Sequence, residues 1–146
     1  LFFSDVEAWG GDLGNGVSNE IFWSPALKDC PGIGDTTPRS LHERWAKKTD
    51  QPVNQNVGMG YQGVQILIDA IERAGTLDAE QINQALSKTD LMTIYHRVVF
   101  DDENFSRDPV AFGQWIKKGD SWVNEVVISN HDFLPTTAEL LFPIPY

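Results

Sequence analysis

The sequence predicts an α/β domain, and three observations carry that reading. Between Pro38 and Leu86 apolar residues recur at spacings of three and four, the period of an amphipathic helix. From Tyr95 onward β-branched and aromatic residues gather instead in short runs of the kind that form strands. Glycine and proline cluster where one pattern gives way to the next.

Each element follows in order. In "SDVEAWGGDLGNG" Ser4 stands three residues before Glu7, a capping pattern that predicts a short helix over about Asp5 to Leu13, ended by its glycines. "VSNEIFW" predicts a buried strand stopped at Ser24-Pro25. "SPALKDCPGIGDTTP" carries too much proline and glycine for a regular element and reads as a loop crossing between lobes. Thr37 followed by Pro38 opens a helix on which Leu41 and Trp45 share a face, and Pro52 blocks its continuation.

Tyr61, Val64, Ile68 and Ile71 then form an apolar stripe, widened by Leu67 and Ala74, that predicts a helix facing a core. Gln62, Gln65, Asp69, Glu72 and Arg73 fall mostly on its other side. Gly75 suits the left-handed residue past the helix end. Asp78 with Gln81 caps the next helix, Leu77 staples onto Ile82, and Ile82, Ala85 and Leu86 give a buried face. "YHRVVFD", "PVAFGQWI" and "WVNEVVIS" predict an antiparallel meander, the last two joined at "KKGDS". "LPTTAELLFPIPY" reads as an extended tail lying on the surface or pinned to it.

Composition excludes several classes. A length of 146 residues suits one domain with its own core. Eleven basic against twenty-one acidic side chains give a formal charge of -10, which repels nucleic-acid phosphates and anionic lipid, so no nucleic-acid partner is expected. Cys30 has no second cysteine to pair with. No apolar run approaches the roughly 20 residues of a spanning helix. The chain starts at Leu1, and "LFFSDVEAW" lacks the layout of a signal peptide, so a piece of a longer protein is expected.

No catalytic or metal-binding pattern stands out. "HERWA" begins like a zinc-protease helix but has no second histidine four positions after His42, which leaves that residue on a solvated helix face. His96 and His131 read as structural residues near strand ends. Asp101, Asp102, Glu103 and Asn104 lack the glycine and closing glutamate of a calcium loop, and Asn104-Phe105-Ser106 matches the glycosylation tripeptide without a context for it. The glycines of "WGGDLGNG" have neither the lysine nor the spacing of a phosphate cradle. Ser24, Ser40, Ser121 and Cys30 lack nucleophile settings. Five tryptophans suit either a core or a ligand pocket. No cofactor is expected, and the residues alone favour binding over catalysis.

The order of motifs is more specific than any of them. "GDLGNGVSNEIFWSP", then "LHERWAKKTDQPVNQNVGMGYQGVQILIDAIERAGTLDAEQINQAL", then "VVFDDENFSRDPVAFGQW" and "LFPIPY" together resemble the C-terminal part of a periplasmic solute-binding protein. The similarity is to the type I, branched-chain amino-acid family that serves ABC transporters. It implies two Rossmann-like α/β lobes joined by crossovers and closing on a small ligand, here incomplete. Residues 1–24 and 98–146 would belong to the second lobe and 25–97 to the first, with an N-terminal portion supplying the rest. Helix faces made for an absent sheet would then be exposed, repacked, or shared in a domain-swapped or fragment dimer.

The resemblance further implies a small ligand such as an amino acid or carboxylate, an ABC transporter permease as partner, and a periplasmic or extracellular location, with a lipid anchor on the full-length protein compatible with it. A cleft position falls at or near Asn56, where relatives often carry an aromatic residue; Asn56 can bond a ligand or cap its helix. The other cleft contact falls at or just upstream of Leu1, bordered by Phe2 and Phe3, for which core packing is the alternative. A sensory receptor domain of the same fold and a hydrolase with carboxylates assembled in space are the rival readings.

Overall fold

The computed structural model describes residues 2–50 and 53–144. The expected block at Pro52, the end of "LFPIPY" and the position of Leu1 lie outside the described residues. In chain order the elements are α1 (Phe3–Trp9), β1 (Ser18–Ile21), α2 (Pro38–Thr49), α3 (Gln55–Ala74), α4 (Ala79–Leu86), β2 (Asp90–Met92), β3 (Arg97–Val99), β4 (Ala111–Lys118) and β5 (Ser121–Ile128). Helices thus occupy the middle of the chain and most strand residues its end, an α/β arrangement in which β1 is the early exception.

The strands form two sheets. One has the order β1-β4-β5 and is antiparallel throughout; the other is the β2-β3 hairpin. The expected meander is therefore corrected, since β3 pairs with β2 and not with β4. The Phe100 N–H donates to Thr89 O at 3.2 Å and closes that hairpin. Asp101 Oδ1 then accepts from the N–H groups of Glu103 and Phe105, curling the polar loop on itself. Arg97 grips Asp90 across the hairpin with two bonds of 2.6 and 2.7 Å, which hold the Asp90 carboxyl below its ordinary range. β4 is central, and the outer edge of β1 has no strand partner among the described residues.

Helix ends obey local chemistry. Thr37 Oγ1 accepts from the Ser40 N–H at 3.1 Å and opens α2, which ends at Asp50 in the left-handed region. Gly75, with φ 66°, closes α3, and Asp78 Oδ1 accepts from the Gln81 N–H at 3.1 Å to open α4. Two local expectations fail. The first helix begins at Phe3, because the Asp5 carboxylate reaches back to the Phe2 N–H at 2.7 Å and leaves Ser4 inside the first turn. Leu77 is 82% exposed and staples nothing, and α4 has no fully buried residue. Arg73 instead joins the two helices, donating to Ala85 O at 2.6 Å and to Thr89 Oγ1 at 3.1 Å.

The larger correction concerns α3. Its buried residues are Gly58, Gln62, Gln65 and Ala70, whereas Val64, Leu67 and Ile68 of the predicted core stripe are 55%, 44% and 36% exposed. The glutamines are buried because the loop after β2 and the stretch at Pro31 satisfy them. Gln62 Nε2 donates to Thr93 Oγ1, Gln65 Nε2 donates to Pro31 O, and Gln65 Oε1 accepts from the Ile94 N–H, each at 3.0 Å. Tyr61, Ile71 and Ala74 of that stripe are half-buried, and its centre at Val64, Leu67 and Ile68 is left exposed among the described residues.

The core lies on the inner face of the three-stranded sheet, where Ile21, Ala111 and Val126 pack with Trp23, Leu27, Cys30, Tyr95 and Leu134. The tail starts in this core at Leu134, is held to the β5 backbone, and is tied to Gln114 at Leu141. Gln114 accepts from the Leu141 N–H at 2.8 Å and donates to Gly16 O at 2.9 Å, while the N–H groups of Thr137 and Ala138 donate to Val126 O.

Candidate functional site

A cleft of about 320 Å³ opens where the end of β1, the starts of α1 and α3, one face of α2 and the β4-β5 hairpin meet. Three sequence features position it. The Phe22 N–H donates to Gln55 Oε1 at 2.9 Å, tying the strand end to the first turn of α3. Trp23 donates from Nε1 to Ile94 O at 3.2 Å, and its ring lies against Gly58, where a side chain would have no room. Asn54 caps α3 by accepting the Asn56 N–H on Oδ1 at 3.0 Å.

The hairpin supplies the opposite wall. Because Lys118 stands opposite Ser121, the ladder sets Lys117 against Trp122 and Trp115 against Asn124. Directly opposed residues share a face, so both indoles and the Asn124 amide lie on the inner side of the sheet. Gly113 on the same face allows a close approach: a Cβ there would sit 2.6 Å from Ile21 and 2.9 Å from Asn124 Oδ1.

The lining is mostly apolar. Trp23, Trp115, Trp122, Phe2 and Phe3 contribute, and His42, Asn54, Gln55 and Asn124 add polar groups; no Lys, Arg, Asp or Glu is among the lining residues. Three of those residues carry polar atoms shielded from solvent with no hydrogen-bond partner among the described residues: Trp115 Nε1, Asn124 Oδ1 and His42 Nδ1. An unmet buried group costs about 1–3 kcal/mol. Among the described residues no three His, Cys, Asp or Glu side chains gather as a metal site needs. The arrangement can hold a small, largely apolar molecule and offers it neutral hydrogen-bonding groups.

Of the residues singled out from the sequence, Phe2 and Phe3 line the cleft. Asn56 is exposed and does not, whereas its neighbours Asn54 and Gln55 do. His42 borders the cleft half-buried, a correction of the solvated face expected for it. Sequence reasoning offered the five tryptophans only together, as core or pocket, and passed over Asn124, although counting pairs outward from the "KKGDS" turn would have placed Trp115, Trp122 and Asn124 on one face.

Comparison with known proteins gives this geometry a context. The sequence model of the family described as periplasmic binding protein matches residues 2–120. No curated protein matches the chain. Among solved structures, a periplasmic binding protein from Burkholderia mallei aligns with TM-score 0.66 at 16% identity, covering 96% of this chain and 37% of its own. A leucine binding protein from Thermotoga maritima aligns with TM-score 0.59 at 23% identity, covering 83% and 33%. A solute binding protein of an ABC transporter from R. palustris, solved with benzoate, aligns with TM-score 0.58 at 14% identity, covering 91% and 36%. At such identities the likeness establishes the fold, and the chain spans only about a third of each of these structures. With most of its length matched by the family's sequence model and its α/β elements superposing on one part of type I structures, the chain belongs to the periplasmic binding protein family.

Proposed function

We propose that the chain is part of the solute-binding component of an ABC transporter, which captures a small ligand such as an amino acid or related carboxylate as two lobes close and presents it to a membrane permease. The observation that carries this reading is the position of the cleft. Phe2, Phe3, Trp23, Trp115, Trp122 and Asn124 come from the segments assigned to the second lobe, residues 1–24 and 98–146. His42, Val53, Asn54 and Gln55 come from the first, residues 25–97. A site built from both sides of a crossover is one that lobe closure would complete.

The exposed stripe of α3 and the unpaired edge of β1 support the same reading, because an apolar helix face and a free strand edge are surfaces a longer polypeptide would cover with its own sheet. Capture makes and breaks no bond, and the cleft wall contributes no carboxylate to the rival hydrolase reading. Family membership supports a location outside the cytoplasm for the full-length protein; no helix of the described residues is long and apolar enough to cross a membrane.

The test is calorimetric titration of the full-length protein with L-leucine, L-phenylalanine, benzoate and acetate. Saturable one-to-one binding of at least one, weakened by Gln55→Ala and Trp122→Ala in a protein that still folds, is the expected result. Binding untouched by both substitutions would move the site elsewhere.

A further inference from the structure

Asn104, Phe105 and Ser106 form the one Asn-X-Ser/Thr tripeptide of the 146 residues, and the fold gives it the setting that the sequence alone withheld. It lies in the loop from β3 to β4, where residues 101–108 form neither helix nor strand and all except Ser106 are exposed. The Asn104 N–H donates to Asp101 O and the Asp101 N–H to Phe105 O, each at 2.9 Å, a closed turn that holds Asn104 in the left-handed region at φ 63°. Its side-chain amide has no hydrogen-bond partner among the described residues. Ser106 Oγ accepts the Val99 N–H at 3.3 Å, which leaves its hydroxyl proton available to a partner. Phe105 between them is 66% exposed. Asp102, also exposed, stands two residues before Asn104 and gives the stretch the acidic residue that bacterial oligosaccharyltransferases take at that offset. We infer that Asn104 is an acceptor for an N-linked oligosaccharide.

The reaction is a group transfer. Asn104 Nδ2 attacks the anomeric carbon of an oligosaccharide carried on a polyprenyl diphosphate. A C1–N bond forms, the C1–O bond breaks with its electron pair leaving on the diphosphate, and one amide proton passes to a base of the transferase. Such transfer takes place outside the cytoplasm, so the inference rests on the location proposed above and not on the cleft. None of residues 101–108 lines the cleft, so a glycan on this loop leaves solute entry open while screening Phe105 from other apolar surfaces.

The experiment incubates the folded full-length protein with a purified bacterial oligosaccharyltransferase and a polyprenyl-diphosphate-linked oligosaccharide, and follows the mass of the protein and of its peptides. A mass increase of one oligosaccharide on the peptide that holds Asn104 is the expected result. Asn104→Gln and Ser106→Ala should abolish it, Ser106→Thr should keep it, and Asp102→Ala should lose most of it, with folding of each variant checked by circular dichroism. Absence of transfer to wild-type Asn104 overturns the inference, as does transfer undiminished in Ser106→Ala or in Asp102→Ala, since the stretch would then not be what the transferase reads. Either of these leaves solute capture standing, because that reading is decided by titration of the unmodified protein.

Discussion

Gly58 and Trp23 are in such close contact that a Cβ on Gly58 would lie 2.1 Å from the indole Cδ2. The ring is also held by its bond to Ile94 O at 3.2 Å, so it has little freedom to retreat. Gly58→Ala should therefore act as overpacking and destabilise by about 1–3 kcal/mol or more, against the gain of about 1 kcal/mol that alanine brings to a helix interior. Gly63, five residues along the same helix, meets nothing within 4 Å, and Gly63→Ala should raise stability. Urea unfolding of the two variants separates them; equal shifts would show that Trp23 does not occupy this place.

Val64 and Leu67 form the centre of the uncovered stripe on α3. In the 146-residue chain, Val64→Lys with Leu67→Glu should leave the unfolding midpoint within about 0.5 kcal/mol of wild type, because exposed substitutions away from special features rarely do more. It should also reduce concentration-dependent association, seen by sedimentation velocity, since an apolar patch has been made polar. In a longer polypeptide whose sheet covers this face, the same pair should be severely destabilising. Severe destabilisation of the 146-residue chain itself would mean that its own residues already bury the stripe.

The contrast between α3 and its caps shows what could be read from the sequence. Thr37, Gly75 and Asp78 act within four residues of themselves, and each does what local chemistry dictates. The buried side of α3 is chosen by partners about thirty residues away, Pro31 and the 93–94 segment, which convert two glutamines into interior residues. Apolar periodicity marked a stripe suited to burial but could not tell that Val64, Leu67 and Ile68 stay exposed among the described residues. β2 is three residues long and carries no period of its own. At the cleft, Phe2 and Phe3, named from the family resemblance, are in the lining, and Asn56 stands next to Asn54 and Gln55, which line it.

Gln65 makes two bonds with one side chain, donating to Pro31 O and accepting from the Ile94 N–H. Gln65→Leu keeps the volume and strands both backbone groups, so it should destabilise by about 2–4 kcal/mol, near the sum of two unmet buried groups. Gln65→Glu keeps the acceptor and, while its carboxyl is neutral at low pH, offers an O–H in place of the amide donor; it should approach wild type there and fall toward the leucine variant at pH 7, where the ionised carboxylate has no donor. Thermal unfolding at pH 4 and pH 7 checks both expectations. A leucine variant as stable as wild type would show that these groups have other partners.

Cys30 sits in the core at 5% exposure, with its thiol directed to Tyr95 O at 3.1 Å. Burial, and secondarily the charge of Asp29, push its pKa up to about 11. An unfolded thiol titrates near 8.5, so between roughly pH 8.5 and 11 the unfolded chain releases a proton that the folded chain keeps. The native state then binds more protons, and stability falls as pH rises through this window, with its full contribution present below it. Cys30→Ala should flatten that part of the decline, although the lost volume lowers stability at every pH. The thiol should also resist iodoacetamide at pH 8 in buffer and react in urea only in proportion to the unfolded fraction, because the thiolate is the nucleophile and burial withholds it. Rapid labelling without denaturant would place Cys30 outside the core and remove the pH effect with it.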